Sequence, residues 1–186
     1  MVSEAKKRRM ERDFQDLKAK SLEAPRGPHD FVLVLDRLEP DFNPGKIFRS
    51  ADAFGCREIH LVGMPFFDPG PSMGSFKHVR SVFHDDFQSA CASLQEDGYR
   101  IYAFMPDAGD SLFEEDFPDR TAFVLGNEAR GISFDPADHP GVKPMRIPQY
   151  GNPQSLNVSV AASIAMYEWV RQRAVDPGPQ GKRGRR

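Results

Sequence analysis

The stretch FVLVLDRLEPDFNPGKIFRSADAFGCREIHLV, residues 31–62, contains two short apolar runs on either side of a helical pattern. Residues 31–35 are continuously apolar, as in strands that are covered on both faces of a sheet. Asn43, which proline follows, is the predicted N-cap of a helix over residues 44–54. Residues 58–62 predict a second strand. A strand, a helix and a strand of these lengths form a βαβ unit.

The same alternation continues along the chain. A helical pattern over residues 85–97 is followed by strand patterns at 100–104, 121–125 and 145–148. Residues 63–84, rich in Gly, Pro and Ser, have no clear period, and residues 64–74 within them predict a mobile loop. We therefore predict an α/β fold with a mostly parallel sheet flanked by helices, and a ligand site at the carboxyl ends of the strands.

The closing segment joins a Gly/Pro loop to an apolar helix. Ser155 is the predicted N-cap, so the helix should begin between Ser155 and Asn157. Its first free N–H groups can bind an anion. Residues 158–170 leave almost no polar face, which predicts burial in the core or at a subunit interface.

The chain has 186 residues, of which 39% are hydrophobic and 28% charged, values typical of one soluble domain. No apolar run approaches the length of a membrane span, and the charged N-terminus does not match a signal peptide, so we expect a cytoplasmic protein. We divide the chain into a basic, partly helical extension (1–27), a main domain (28–174) and a basic disordered tail (175–186). Few apolar residues anchor the extension, which leaves open that it orders only on a partner.

Cysteine and histidine usage argues against a disulfide framework and a metal centre. Cys56 and Cys91 are far apart and lie in no CxxC or Cys/His pattern, which favours reduced, buried thiols. The five histidines show no metal-ligand spacing, so no metal is expected.

The distribution of charge is more informative than the formal net charge of −2. By counting, residues 1–26 and the segment from residue 176 onward each carry about +3, which leaves about −8 for the body. Basic ends on an acidic body suit segments that hold nucleic-acid phosphates, although basic termini are also common solubility features. Lys77, His78 and Arg80 follow the loop at 64–74 and are candidates for phosphate contact, with a solvated basic turn as the alternative.

Three segments together resemble the motifs of the SpoU/TrmH family, RNA ribose 2′-O-methyltransferases of the SPOUT superfamily. They are residues 43–55 (NPGKIFRSADAFG), 123–133 (FVLGNEARGIS) and 147–161 (IPQYGNPQSLNVSVA). Their order and spacing also agree with the family, and the resemblance covers residues 31–173. It implies S-adenosylmethionine as methyl donor, a homodimer, and a trefoil knot at the C-terminal end of the sheet.

The resemblance also implies roles for individual residues. The second and third motifs would hold the cofactor, largely through backbone groups, with Leu125, Gly126, Asn127, Ile147, Ser155 and Leu156. Arg49 would be catalytic, binding the RNA phosphate and stabilising charge on the 2′-oxygen as it attacks. The remaining polar site positions are Asn43, Glu128, Ser155 and Asn157. Arg130, Lys77 and Arg80 are the other predicted substrate contacts.

We predict a tRNA substrate, because only a short charged segment precedes the first strand and many rRNA-specific relatives carry a separate N-terminal domain there. Alternatives are the same chemistry on rRNA and a non-catalytic RNA-binding relative. A nucleotide-binding oxidoreductase is disfavoured, since no GxGxxG follows the first strand and no P-loop is found.

Overall fold

The computed structural model describes residues 4–151 and 155–178. Within these ranges the α-helices are α1 Glu4–Glu23, α2 Phe42–Ala53, α3 Phe87–Glu96 and α4 Val158–Arg173. The strands are β1 His29–Asp36, β2 Cys56–Val62, β3 Ser81–His84, β4 Arg100–Phe104, β5 Thr121–Leu125 and β6 Val142–Met145. Short 3-10 turns lie at Gly70–Ser72, Ser75–Lys77 and Pro136–Asp138.

The six strands form one sheet in the order β3-β2-β1-β5-β4-β6. Every neighbouring pair is parallel, which confirms the predicted α/β fold with a parallel sheet. After β1 the chain continues to β2 and β3, which lie on one side of β1 in the sheet. Strands β5, β4 and β6 lie on the other side of β1. The carboxyl ends of β1 and β5 therefore flank a topological switch point, where ligands of such sheets bind.

Both faces of the sheet are buried, as the continuous apolar strands predict. Leu33 and Leu35 of β1 belong to a core cluster with residues of α2 and α4. The alternate residues Val32 and Val34 belong to a second cluster with residues of α3. A strand that is covered by helices on both sides can be apolar at every position.

Helix α1 is packed against its own chain. Phe14 is fully buried, with ring centroids 5.1 Å from Phe66, 5.1 Å from Phe67 and 5.6 Å from Phe76. Near the end of α1, Ser21 Oγ donates a 2.6 Å hydrogen bond to the carbonyl of Val79. Aromatic packing therefore fixes α1 to the segment between β2 and β3.

Two predicted helix caps are wrong, each by two residues. Asp41 is the N-cap of α2 and accepts from the backbone N–H of Asn43 at 3.0 Å. Asn157 is the N-cap of α4 and accepts from the N–H of Ser159 at 3.0 Å, so Ser155 precedes the cap. In both cases two residues of capping type lie two positions apart, and the sequence does not distinguish between them.

The segment at 63–84 is more ordered than predicted. It contains β3, which pairs with β2 from Ile59↔Ser81 to Val62↔His84, and its side chains Phe67 and Phe76 are fully buried. Strand β3 therefore lies where the sequence shows no clear period, and the mobility of residues 64–74 stays a prediction. Strand β6, at Val142–Met145, begins three residues before the predicted 145–148. It pairs with β4 from Ile101↔Val142 to Phe104↔Met145.

Three predicted segments fall partly on residues that the structure does not describe. Residues 1–3 of the basic extension, 152–154 of the third motif and 179–186 of the basic tail lie outside the described ranges. The implied trefoil knot, which involves the loops of the second and third motifs, stays a prediction. Among the described helices, none is long and apolar enough to cross a membrane.

Candidate active site

The three motifs meet at the carboxyl edge of the sheet. The first follows β1, the second follows β5, and the third follows β6. β1 and β5 are direct neighbours, paired from Phe31↔Thr121 to Leu35↔Leu125. Segments that are about 80 to 115 residues apart in the chain are thereby brought together.

A cavity of about 420 Å³, the edge cavity, opens between the second and third motifs. All six residues predicted to hold the cofactor line it: Leu125, Gly126, Asn127, Ile147, Ser155 and Leu156. Glu128 and Asn157 also line it. Its size lies within the range of small-ligand sites, and its lining is mainly apolar with a few polar groups, as such sites require.

The prediction missed one wall of the edge cavity. Phe104, Met105 and Pro106, at the end of β4, line the cavity beside Ile147. These residues contain no reactive group and belong to none of the three motifs. The available signal was their position directly after a predicted strand, at the edge where ligands bind.

Gly126 is required by close backbone packing. A Cβ atom at this position would lie 2.4 Å from both Gly131 C and Ile132 N, which no side chain can do. The following residue, Asn127, exchanges two 2.8 Å backbone hydrogen bonds with Gly131. The second motif therefore closes into a tight loop, and its backbone forms part of the cavity wall.

The side chain of Asn127 ties this loop to the end of β1. Its Nδ2 donates to the carbonyl of Arg37 at 2.8 Å and to Glu39 Oε1 at 3.3 Å. Its Oδ1 accepts from the backbone N–H groups of Ala129 and Arg130 at 2.9 and 3.1 Å. All polar atoms of the side chain are thus used within the protein, and the loop is held in one conformation.

A chain of three polar side chains joins all three motifs. Asn43 Nδ2 donates to Glu128 Oε1 at 2.8 Å, and Asn157 Nδ2 donates to Asn43 Oδ1 at 3.2 Å. The backbone N–H of Glu39 donates to Glu128 Oε2 at 3.2 Å. Asn43 is 3% exposed, whereas Glu128 and Asn157 are exposed, so a buried amide joins two surface side chains and fixes α2 to the rim of the edge cavity.

Asp36 is a second tether that the sequence analysis did not single out. This fully buried carboxylate accepts from Ser133 N–H at 2.5 Å and from Ser133 Oγ at 2.8 Å. It anchors the end of the second motif to the end of β1. The only signal in the sequence was an acid directly after a buried apolar strand.

Arg49 lies in a neighbouring groove and does not line the edge cavity. This α2–α4 groove, of about 930 Å³, includes Lys46, Arg49 and Ser50 of α2 and Ser159 and Val160 of α4 among its lining residues. The edge cavity and the α2–α4 groove meet at the start of α4. Asn157 lines the edge cavity and Ser159 lines the groove. Ser159 Oγ donates a 2.6 Å hydrogen bond to Asn157 Oδ1, which joins the two. Arg49 is exposed, and no described carboxylate lies within ion-pair distance of it.

The other predicted substrate contacts are dispersed. Arg130 is exposed on the second motif, beside the edge cavity. Lys77 is exposed at the end of a 3-10 turn and lines neither cavity nor groove. Arg80 is held within the protein, since its guanidinium donates to the carbonyl of Leu22 at 3.1 Å and lies 3.4 Å from Glu58. The structure therefore disfavours Arg80 as a substrate contact.

Side chains that could bind a metal do not form a cluster within the described ranges. Among the described residues no cluster of three or more His, Cys, Asp or Glu side chains has the arrangement of a metal site. Cys56 and Cys91 are buried free thiols.

Comparison with known proteins identifies relatives over most of the chain. The model of the SpoU rRNA methylase family matches residues 30–167. The chain is 37% identical over 151 residues to a tRNA (guanosine(18)-2′-O)-methyltransferase of Thermus thermophilus, in an alignment that covers 77% of this chain and 76% of the relative.

Solved structures give the same picture. A structure described as giving insights into the 2′-OH methylation of C/U34 on tRNA matches with a TM-score of 0.68 and 32% identity, over 78% of this chain and 97% of that one. The SpoU methyltransferase AviRb of Streptomyces viridochromogenes, solved in complex with AdoMet, matches with a TM-score of 0.68 and 26% identity, over 80% of this chain and 62% of that one.

Proposed function

This chain belongs to the SpoU rRNA methylase family, and we propose that it transfers the methyl group of S-adenosylmethionine to a ribose 2′-hydroxyl of tRNA. The observation that carries the proposal is the edge cavity, which collects all six predicted cofactor residues beside a helix that bears Arg49. The Thermus relative is named as a tRNA methyltransferase, and the C/U34 structure is described as concerning methylation of tRNA, which supports a tRNA substrate; relatives named as 23S rRNA methyltransferases keep rRNA as the alternative.

The residues of the edge cavity fit S-adenosylmethionine. Leu125, Ile147 and Leu156 offer apolar surface for an adenine ring, and Gly126 lets the backbone approach closely. Ser155 adds a polar group at the rim, and Asn127 holds the loop of the second motif in place. When bound, the cofactor supplies an electrophilic methyl group. The related AviRb structure contains AdoMet, which supports this assignment.

Arg49 is proposed to bind the RNA next to the reacting ribose. Its guanidinium is always charged at physiological pH and presents several donors in one plane, which suits a phosphate. An arginine is a poor base, so its contribution is to position the phosphate and to stabilise negative charge on the 2′-oxygen. The Asn43–Glu128–Asn157 chain positions α2, and with it Arg49, relative to the edge cavity.

We also propose a homodimer that forms through the α2–α4 groove. Met73, Phe113, Val160 and Tyr167 line this groove with exposed fractions of 75%, 68%, 46% and 58%. The opposite side of α4 is buried in the core through Ala162, Met166 and other residues, so the helix is apolar on both sides. A second copy of the chain would cover this exposed surface and lie beside Arg49.

Sedimentation equilibrium tests the dimer. The wild-type chain is expected at twice its monomer mass, and Val160→Asp is expected to shift it towards the monomer. Val175→Asp is the matched control, because Val175 is 90% exposed and does not line the groove. A wild-type monomer at micromolar concentration would exclude the proposed assembly.

Methyl transfer from labelled S-adenosylmethionine into tRNA and, separately, into rRNA tests the activity. A 2′-O-methylnucleoside in tRNA is expected, and Arg49→Ala should reduce its formation about 100-fold or more, by analogy with removal of a charge-stabilising group. Arg100→Ala, which removes an exposed cation at the first residue of β4, should leave it unchanged. Label in rRNA alone would favour the rRNA alternative, and RNA binding without transfer would favour a non-catalytic relative.

A further inference from the structure

Arg37, directly after β1, has an unusual backbone conformation. Its φ angle is 53°, and among the described residues only Met73 shares a positive φ without being glycine. Glycine or asparagine adopts this left-handed conformation with less strain. The backbone is held on both sides, because Arg37 N–H donates to the Val62 carbonyl at 3.0 Å and its own carbonyl accepts from Asn127 at 2.8 Å.

The side chain of Arg37 lies across the end of β2. A Cβ atom at Gly63 would be 3.1 Å from Arg37 Cγ and 3.3 Å from Nε, so the absence of a side chain at Gly63 makes room for this arginine. Gly63 itself has a φ of 60°. The stem of Arg37 is therefore laid over a neighbouring strand end, while the residue as a whole stays exposed.

The guanidinium of Arg37 has no described partner. No ion pair or side-chain hydrogen bond joins it to any residue within the described ranges. The pKa of Asp86 lies below its usual range chiefly because Ser89 donates to its carboxylate, with a smaller contribution from the Arg37 charge. Asp86 is thus near Arg37, but it serves as the N-cap of α3 and does not pair with the arginine.

These observations describe a cation that is positioned but unused by the fold. Strained residues persist where the surrounding structure holds them, and they concentrate at functional sites. A planar guanidinium without a partner is suited to a phosphate. Because Asn127 both lines the edge cavity and holds the Arg37 carbonyl, a phosphate on Arg37 would be fixed relative to that cavity.

We propose that Arg37 binds a backbone phosphate of the RNA substrate at the carboxyl edge of the sheet, on the β2 side of the edge cavity, as a substrate-positioning residue separate from Arg49. This inference rests on the proposed function, since it requires an RNA substrate at that edge. It places a second phosphate contact on the β2 side of the site, whereas Arg49 lies on α2 beside α4.

Arg37→Asn separates this role from a structural one. Asparagine tolerates the left-handed conformation, so the melting temperature should stay the same or rise. The affinity for an unmodified tRNA transcript should fall about 5- to 10-fold at low salt, and the slope of log affinity against log salt should decrease by about 0.7 to 0.9, the value for one phosphate contact. The affinity for S-adenosylmethionine should not change.

Arg100→Asn is the matched control, because it removes one exposed cation from the opposite edge of the sheet. A lower salt slope for Arg37→Asn but not for Arg100→Asn supports the proposal. An unchanged affinity and slope, or an equal loss in both variants, overturns it. The same wild-type samples are assayed for methyl transfer. If the wild type binds RNA without methyl transfer, the proposed activity is rejected, but the comparison of salt slopes still decides the role of Arg37. If the wild type binds no RNA, both proposals are rejected.

Discussion

The side-chain amide of Asn43 donates a 2.8 Å hydrogen bond to Glu128, although the two residues lie 85 positions apart in the chain. Asn43 also accepts from Asn157, and it is 3% exposed. One buried amide therefore links α2, the loop after β5 and the start of α4. Its loss should affect both the stability of the protein and the geometry of the candidate active site.

Asn43→Asp should destabilise the protein in a pH-dependent way. The new carboxylate would face Glu128 at hydrogen-bond distance, and two carboxylates so close cannot both be ionised without a large cost. We expect the free energy of unfolding to fall by about 3 kcal/mol at pH 8. The loss of unfolding free energy should be smaller at pH 5, because the two facing carboxyl groups of the folded variant can then share one proton. Urea unfolding at the two pH values measures both quantities.

The control for this prediction swaps the chemistry of the pair. Asn43→Asp combined with Glu128→Gln restores one amide and one carboxylate, with donor and acceptor exchanged. The double variant should lie within about 1 kcal/mol of the wild type, so the two changes should be strongly non-additive. If the double variant instead shows the sum of the two single losses, the Asn43–Glu128 hydrogen bond does not carry the effect.

Gly126→Ala should abolish cofactor binding. The added Cβ would lie 2.4 Å from backbone atoms of Gly131 and Ile132, so the loop that lines the edge cavity must move. The stability loss should be about 1–3 kcal/mol, as for overpacking elsewhere. Calorimetric titration with S-adenosylmethionine measures the effect. Gly109→Ala is the matched control, since nothing lies within 4 Å of a Cβ there, and normal binding by Gly126→Ala would contradict the prediction.

The sequence predicted those parts of the fold and site that depend on local pattern. β4 and β5 agree with the predicted bounds because their apolar runs are continuous and end at turn residues. The six cofactor positions were implied by the resemblance to the SpoU/TrmH family and not by local pattern, and they lie together because the carboxyl ends of parallel strands share one edge. β3 was missed, since a strand of four residues that starts with serine and ends with histidine has no clear pattern.

Contacts between distant segments could not be predicted. Asp36 and Ser133 are 97 positions apart, and nothing in either segment indicates the other. Arg80 is a predicted RNA contact, and its position 3.4 Å from the buried Glu58 could not be foreseen from either segment. The wrong cap at Asn43 has a similar cause: its side chain is occupied by Glu128 and Asn157, which leaves Asp41 to cap α2.

Phe14→Ala should destabilise the whole domain. Phe14 is fully buried among Phe66, Phe67 and Phe76, and truncation of a buried phenylalanine costs about 3–5 kcal/mol. Leu22→Ala, on the same helix but at a position 42% exposed, should change stability by less than about 1 kcal/mol. Urea unfolding compares the two. Equal, small effects would show that α1 contributes little to the fold.

The free energy of unfolding should fall on acidification because of two titratable side chains, Glu58 on β2 and His84 on β3. Glu58 is 4% exposed and lies 3.1 Å from Arg26 and 3.5 Å from His60 Nε2. Burial acts to raise the pKa of Glu58, but the adjacent His60 imidazole and the charge and hydrogen bond of Arg26 outweigh it, so this pKa lies below 4.5. His60 Nδ1 is 2.9 Å from His84 Nε2, and burial together with the His60 charge holds the pKa of His84 below 6.5.

Both groups therefore bind a proton less readily in the folded chain than in the unfolded one. The free energy of unfolding should decrease as the pH falls from 6.5 through the lowered pKa of His84, and again below 4.5 through that of Glu58. His84→Gln removes the first step and keeps a side chain that can hydrogen-bond to His60. Urea unfolding at about pH 7.5, 6.0 and 5.0 should show a smaller loss for His84→Gln than for the wild type. Identical pH dependence of the two proteins would mean that His84 does not contribute to the acid sensitivity of the fold.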